Sequence, residues 1–227
     1  MGRKPCKDLT MQIFTRTHSD SQLYPLAASL WPEGIARHPL EFNGFEGASD
    51  FLWEVINTAT GYALICDEDC FIYDWQRIEK MLTYLETGSK AVLAIPDGGV
   101  TEHRAGFDWF QLNPFFMLLD APVIRRRIEA SGLKRWQIDK MGYRPDLDQY
   151  RPFWISEEFG TAVKSTAEPF HGLSVFLVAS GLVDFIKVEQ HKDGITTDTG
   201  FALHSWYARE YQQQEERILE IYNEARR

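Results

Sequence analysis

Most of the features that assign a protein at first sight are missing from this chain. Of its 227 residues only three are cysteine, Cys6, Cys66 and Cys70, too few and too unevenly placed for a disulfide framework. Cys66 and Cys70 stand four apart, but neither a second cysteine pair nor a histidine pair at zinc-finger spacing accompanies them. Structural zinc is therefore not expected, and reduced thiols are. No apolar run approaches the ~18–20 residues a membrane-spanning helix needs. The opening MGRKPCKDLTMQ has no apolar signal core, and it carries Cys6 where N-myristoylation requires Ser or Thr. A soluble, cytoplasmic protein is the expectation. A basic stripe is also lacking: the net charge is −9, and the strongest cluster, Arg125-Arg126-Arg127, suits a solvated helix face. Nucleic acid is therefore not an expected partner. Internal repeats, low-complexity tracts and long linkers are absent as well.

What is present is a core. With 44% hydrophobic residues and 14% aromatics, seven of them Trp, residues 1–227 suffice for one globular domain. MQIFTRTHS (11–19) predicts a strand running into a polar loop, and residues 20–48 are rich in Pro and Gly with a helical patch from Leu23 to Leu30. ASDFLWEVINTAT (48–60) places Leu52, Val55, Ile56 and Ala59 on one helical face, with Ser49 or Asp50 as cap and Gly61 as stop. YALIC is an unalternating apolar run, as in a strand covered on both faces. YDWQRIEKMLTYLETG (73–88) follows as a helix between Asp74 and Gly88. AVLAIP (91–96) is a second buried strand, DGGVTEHRAG (97–106) a loop, and FFMLLD (115–120) a strand leading to a helix from Pro122. LSVFLVASGLVDFI (173–186) reads as strand then helix, and a last helix spans about 199–225. This alternation predicts an α/β fold with a mostly parallel sheet and helices on both faces. In such folds ligands bind at the carboxyl ends of the strands.

The YALIC strand ends there in three acids, Asp67, Glu68 and Asp69, set between apolar neighbours. Residues two apart on an extended strand face the same way, so Asp67 and Asp69 converge while Glu68 points elsewhere. Two carboxylates so close repel unless one is protonated or a cation joins them. Hard oxygen ligands suit Mg²⁺ or Mn²⁺, which can also hold a diphosphate. The alternative is that the acids cap the helix after Asp74 or bind Arg side chains.

ASDFLWEVINTATGYALICDEDCFIYD resembles the core of GT-A type glycosyltransferases, especially the family 2-like group. A second segment, HGLSVFLVASGLVDFIKVEQHKDGITTDTGFALHSW, resembles the region where that family has an acidic motif opening a helix. Together with IFTRTHS the likeness extends over roughly residues 11–210. It implies a GT-A (nucleotide-diphospho-sugar transferase) fold and a metal-dependent glycosyltransferase that moves a sugar from a nucleotide-diphosphate donor to an acceptor hydroxyl. The acceptor class (glycan, lipid-linked sugar or protein) is left open. Asp67 and Asp69 are the implied ligands of Mn²⁺ or Mg²⁺ and of the nucleotide sugar. Asp198 falls on the catalytic base of inverting members, its other reading being the cap of a helix starting near Thr199. Thr15, Arg16 and His18 occupy the start of the nucleotide pocket, and Asp50 is the candidate for the nucleotide-binding acid. His204, six residues after Asp198 and about 120° round the expected helix, is the candidate metal-binding histidine.

Other candidates come from the residues themselves. Asp97, Glu102, His103 and Arg104 lie on a loop at the active end of the sheet, where function concentrates. Glu157 and Glu158 have Phe153, Trp154 and Phe159 as neighbours, aromatics that read as core. One rival function is a haloacid-dehalogenase-like phosphatase, in which the first Asp is a nucleophile. Phe71 stands where that family prefers Thr or Val. A nucleotidyltransferase would need a Gly-rich phosphate loop near the N-terminus, which is missing. The remaining rival is a non-catalytic binding module on a GT-A-like sheet.

Overall fold

A computed structural model describes residues 11–44, 46–98, 108–155 and 168–227. The strands are β1 (Met11–Arg16), β2 (Ala36–Leu40), β3 (Tyr62–Cys66), β4 (Cys70–Ile72), β5 (Val92–Pro96), β6 (Leu112–Asp120), β7 (Val183–Phe185), β8 (Glu189–Gln190), β9 (Thr197–Asp198) and β10 (Ala202–His204). The helices are α1 (Leu23–Ser29), α2 (Gly47–Thr58), α3 (Trp75–Thr87), α4 (Ala121–Ser131), α5 (Arg135–Asp139), α6 (His171–Ala179) and α7 (Tyr211–Ala225).

Six strands make the main sheet in the order β2-β1-β3-β6-β5-β7. Only β6 runs against the others, pairing antiparallel with both β3 and β5, so the sheet is mixed and mostly parallel. Alternating residues feed two cores, as the period of two requires. Phe14, Ala63, Ile65, Ala94 and Met117 pack with residues of α2, α4 and α6. Ile13, Leu64, Leu93 and Leu118 pack on the opposite face with residues of α1, α3 and α7. Helices therefore cover both faces, as predicted. A second, antiparallel sheet, β4-β10-β9-β8, adjoins the carboxyl end of β3.

Local caps decide where several helices begin. Asp74 accepts a hydrogen bond from the Arg77 N–H at 3.2 Å, and Asp120 accepts one from Val123 at 3.0 Å, each satisfying an otherwise unpaired first-turn donor. Neither Ser49 nor Asp50 caps α2, which begins earlier, with Glu46 at the cap position. Arg125 does not sit on a solvated face: its guanidinium donates to the carbonyls of Ile56 and Ala59 at the end of α2.

Two larger expectations are overturned. Residues 171–185 run helix then strand, the reverse of the predicted order. A short continuous apolar run cannot by periodicity be told apart as buried strand or buried helix, and here Gly172 through Val178 are all buried. Gly172 is what lets this helix close on α5, because a Cβ there would lie 2.2 Å from the Ile138 carbonyl oxygen. The last helix begins at Tyr211, not near 199. Asp198 accepts from the Gly200 N–H at 2.7 Å, and the Thr199 hydroxyl accepts from Ala202 at 2.8 Å. With Gly200 at φ +76°, these bonds fold a β9–β10 turn in place of a helix start.

Candidate metal and ligand site

β3 stops at Cys66 because the chain turns back: the Cys70 N–H reaches the Asp67 carbonyl at 3.1 Å and β4 leaves in a new direction. Asp67, Glu68 and Asp69 therefore stand on a reverse turn rather than an extended strand end. On this turn Glu68 does not leave its neighbours as an extended strand would require: its carboxylate accepts from the Thr17 hydroxyl, and it lines the same cavity as Asp67 and Asp69. The Asp69 carbonyl accepts from the Ser205 N–H at 3.1 Å, which fastens the turn to the residue following β10. β10 in turn pairs with β4, His204 lying opposite Cys70.

This pairing brings His204 onto a strand and next to the acids. Its Nε2 lies 3.2 Å from Asp69 Oδ1, and both side chains are 3% exposed. One ligand atom from each of Asp67, Asp69 and His204 falls within 4.8 Å of the other two. The imidazole stacks on Phe115, with centroids 4.1 Å apart at 14°, and leans on Trp206 at 4.2 Å. Its Nδ1 is buried without a hydrogen-bond partner among the described residues.

Burial pushes the Asp67 carboxyl up to about 6; the Arg16 guanidinium pulls against this and Asp69 adds to it. A raised carboxyl, a second, buried acid and the imidazole Nε2 beside it form a set that a hard divalent cation satisfies. The thiols take no part. Burial pushes Cys66 up to about 12 and raises Cys70 well above its ordinary value, so both remain protonated.

The three groups open into a cavity of about 700 Å³. Arg16 and His18 line it, as does Asp97, which is 2% exposed and accepts from Asn113 Nδ2 at 2.8 Å. Three predicted residues are not among the lining. Thr15 is buried, its hydroxyl 3.8 Å from the Cys66 sulfur. Asp50 pairs with Arg135, which also reaches Asp139 at 3.2 Å. Asp198 accepts from the Tyr73 hydroxyl at 3.1 Å and from Gly200. Glu102, His103, Arg104, Glu157, Glu158 and Phe159 lie outside the described residues. Of the aromatics read as core, Trp154 packs against it, but Phe153 is 99% exposed.

Sequence reasoning missed Asn113, Glu168, Phe170, Trp206 and Tyr207, which also line the cavity. Glu168 and Phe170 immediately precede the helix mistaken for a strand. Trp206 and Tyr207 hold left-handed φ of 58° and 63°, for which bulky residues give no advance signal.

No protein-family model matches the chain, and no curated protein matches it. Several solved structures overlap it in part. One is a glycosyltransferase involved in the glycosylation of the major capsid of PBCV-1, 11% identical over 56% of this chain and 69% of that one, TM-score 0.36. Another is a mannosyltransferase from Pyrobaculum calidifontis in complex with GDP-mannose and Mn²⁺, 12% identical over 54% of this chain and 46% of that one, TM-score 0.38. The chain thus spans less than half the length of that enzyme. A197 from STIV is 12% identical over 86% of this chain and 93% of that one, TM-score 0.41. Likeness at TM-scores below 0.5 assigns neither fold nor activity here, and the functional reading rests on the site. No helix among the described residues is long and apolar enough to cross a membrane.

Proposed function

We propose that the chain is a metal-dependent glycosyltransferase of GT-A type that uses a nucleoside-diphosphate sugar. The observation that carries the reading is the Asp67–Asp69–His204 cluster, set at the carboxyl end of a central strand and open to a cavity of substrate size. These three residues would hold Mn²⁺ or Mg²⁺. When bound, the cation would neutralise the negative charge of the departing nucleoside diphosphate. Arg16 and His18, at the end of β1, are proposed to bind the phosphates and the base of the donor.

The attacking oxygen belongs to an acceptor hydroxyl on a glycan, a lipid-linked sugar or a protein, and it must lose its proton as it attacks. Asp198 is not among the cavity-lining residues; of the acids that are, beyond the metal cluster, Asp97 or Glu168 is proposed as the base ahead of Glu68, which accepts from Thr17, and Glu210. A single displacement with such a base inverts the anomeric centre.

The test is thermal denaturation of the protein with Mn²⁺ and a panel of nucleoside diphosphates, alone and combined. Ligand at ~100-fold over its dissociation constant stabilises by about 2.7 kcal/mol. A rise in melting temperature that needs both metal and one nucleotide supports the reading and names the donor class. No rise with any combination overturns it. Once a donor is known, replacing the true base among Asp97→Asn and Glu168→Gln should lower kcat by roughly 10²–10⁴, with donor binding retained.

A further inference from the structure

His204 is held unusually for a metal-binding histidine. Such a residue ordinarily donates its second ring N–H to a carboxylate, carbonyl or water, which fixes the ring's orientation. Here Nδ1 has no such partner among the described residues, and the imidazole instead lies flat on Phe115 with Trp206 beside it, the two rings 6.1 Å apart. Phe115 belongs to the central strand β6 and is anchored by the sheet. Trp206 belongs to no strand or helix, and it sits with Tyr207 in consecutive left-handed conformations that L residues rarely adopt. Such a turn persists only where its surroundings over-determine it.

Those surroundings are visible. The Trp206 indole N–H donates to the Thr197 hydroxyl at 2.9 Å, across the β9–β10 pair. Its carbonyl accepts from Arg217 Nη2 at 3.3 Å. Arg217 projects from α7, and its other donors are also engaged. Nη1 reaches Asp193 Oδ2 at 3.3 Å and the Thr196 hydroxyl at 3.2 Å, while Nε reaches Gln214 at 3.0 Å. One planar guanidinium thus ties together α7, the β8–β9 turn and the left-handed turn.

We propose that Arg217 is a positioning residue for the metal site: by holding the Trp206 carbonyl it fixes the indole that orients His204, and through it sets the affinity for the cation. The inference rests on the metal-site reading above. Lysine cannot substitute, because one ammonium lacks the fork needed to serve Trp206 and the Asp193–Thr196 pair together.

The experiment titrates Mn²⁺ into the full chain, following free Mn²⁺ by electron paramagnetic resonance well below each variant's melting temperature. Arg217→Lys and Arg217→Met are expected to weaken Mn²⁺ binding 10–100-fold, the range for outer partners of metal ligands. Folded Arg217 variants that bind Mn²⁺ as tightly as wild type would make the residue a purely structural clamp and overturn the proposal. Should they not fold, Trp206→Leu removes the ring from His204 without touching α7. It too must bind Mn²⁺ at least several-fold more weakly, and unchanged affinity overturns the proposal. Wild type that takes up no Mn²⁺ or Mg²⁺ removes the metal-site reading itself, a result distinct from equal binding by wild type and variants.

Discussion

Asp69 and His204 meet at 3.2 Å, yet the chain brings them there by different physics. Asp69 belongs to a local device. A buried strand runs out at the sheet's edge, a four-residue turn closed by one backbone hydrogen bond reverses it, and the acids stand on that turn. The strand, the turn and the acids are consecutive in the chain, with Ser205 adding one distant tie to the Asp69 carbonyl. His204 and the aromatic residues after it belong to a distributed device. Strands of two and three residues, a left-handed turn and a helix beginning at Tyr211 support one another, and none is stable alone. The first limb supplies charge; the second supplies orientation. A site assembled in this way can lose its second limb by a change far from the acids, whereas the first is most sensitive to direct substitution of the acids themselves.

The largest expected effect tests which acid belongs to the charged limb. Asp69→Asn removes one of two clustered carboxylates and leaves the buried His204 facing an amide, so metal-dependent nucleotide stabilisation should vanish. Asp198→Asn, although also an acid on the same small sheet, should leave Mn²⁺ affinity within about two-fold, because its carboxylate is committed to Tyr73 and Gly200. Isothermal titration of both variants with Mn²⁺ decides the matter. Equal losses would collapse the distinction between the limbs and return Asp198 to the site.

The same contrast explains what the sequence disclosed. β1, β3, β5, α2, α3 and α4 were legible from local signals: unalternating apolar runs in β3 and β5, one-faced apolar spacing in α2, and boundary residues such as Asp74 before α3 and Pro122 in α4. The Asp67/Asp69 pair was legible because the cost of burying like charges is itself a signal. β2 was not anticipated within its Pro- and Gly-rich segment, and β4 was hidden by its length of three residues. The 197–204 segment misled because Asp198 reads equally as a helix cap and as the start of a tight turn, and only pairing with β4, some 130 residues earlier, decides. His204 was expected on a helix and lies on β10. Strand pairing, not helical spacing, brings it to the acids.

A smaller effect probes the electrostatics of the second limb. Burial raises the Asp193 carboxyl, but donors outweigh it: the Thr196 hydroxyl at 2.6 Å, the N–H groups of Ile195 and Thr196, and His191 hold it down at about 2. A carboxyl depressed in the folded state contributes stability that is present above its unfolded value near 4 and is lost as pH falls through about 2. After allowance for solvent screening the contribution is about 1 kcal/mol. Urea unfolding should therefore show Asp193→Asn less stable than wild type at pH 6, with the gap narrowing as pH falls from 5 towards 3. A gap independent of pH would mean that shape, not charge, fastens the β8–β9 turn to Arg217.

The smallest effect concerns the strain in that limb, and its sign is the informative part. Tyr207 is 44% exposed, so replacing it removes little packing, and its φ of 63° is one that asparagine tolerates far better than tyrosine. If only folding mattered, Tyr207→Asn would be neutral to stabilising, by up to about 1 kcal/mol. Tyr207, however, lines the cavity, and a residue kept in a costly conformation beside a cavity points to a role for its side chain there. The expected outcome is a variant with an equal or higher melting temperature, unchanged Mn²⁺ affinity, and weaker binding of whatever occupies the cavity beside the metal. A lower melting temperature would show instead that the Tyr207 ring supports the turn, making the strain a cost of folding and not of function.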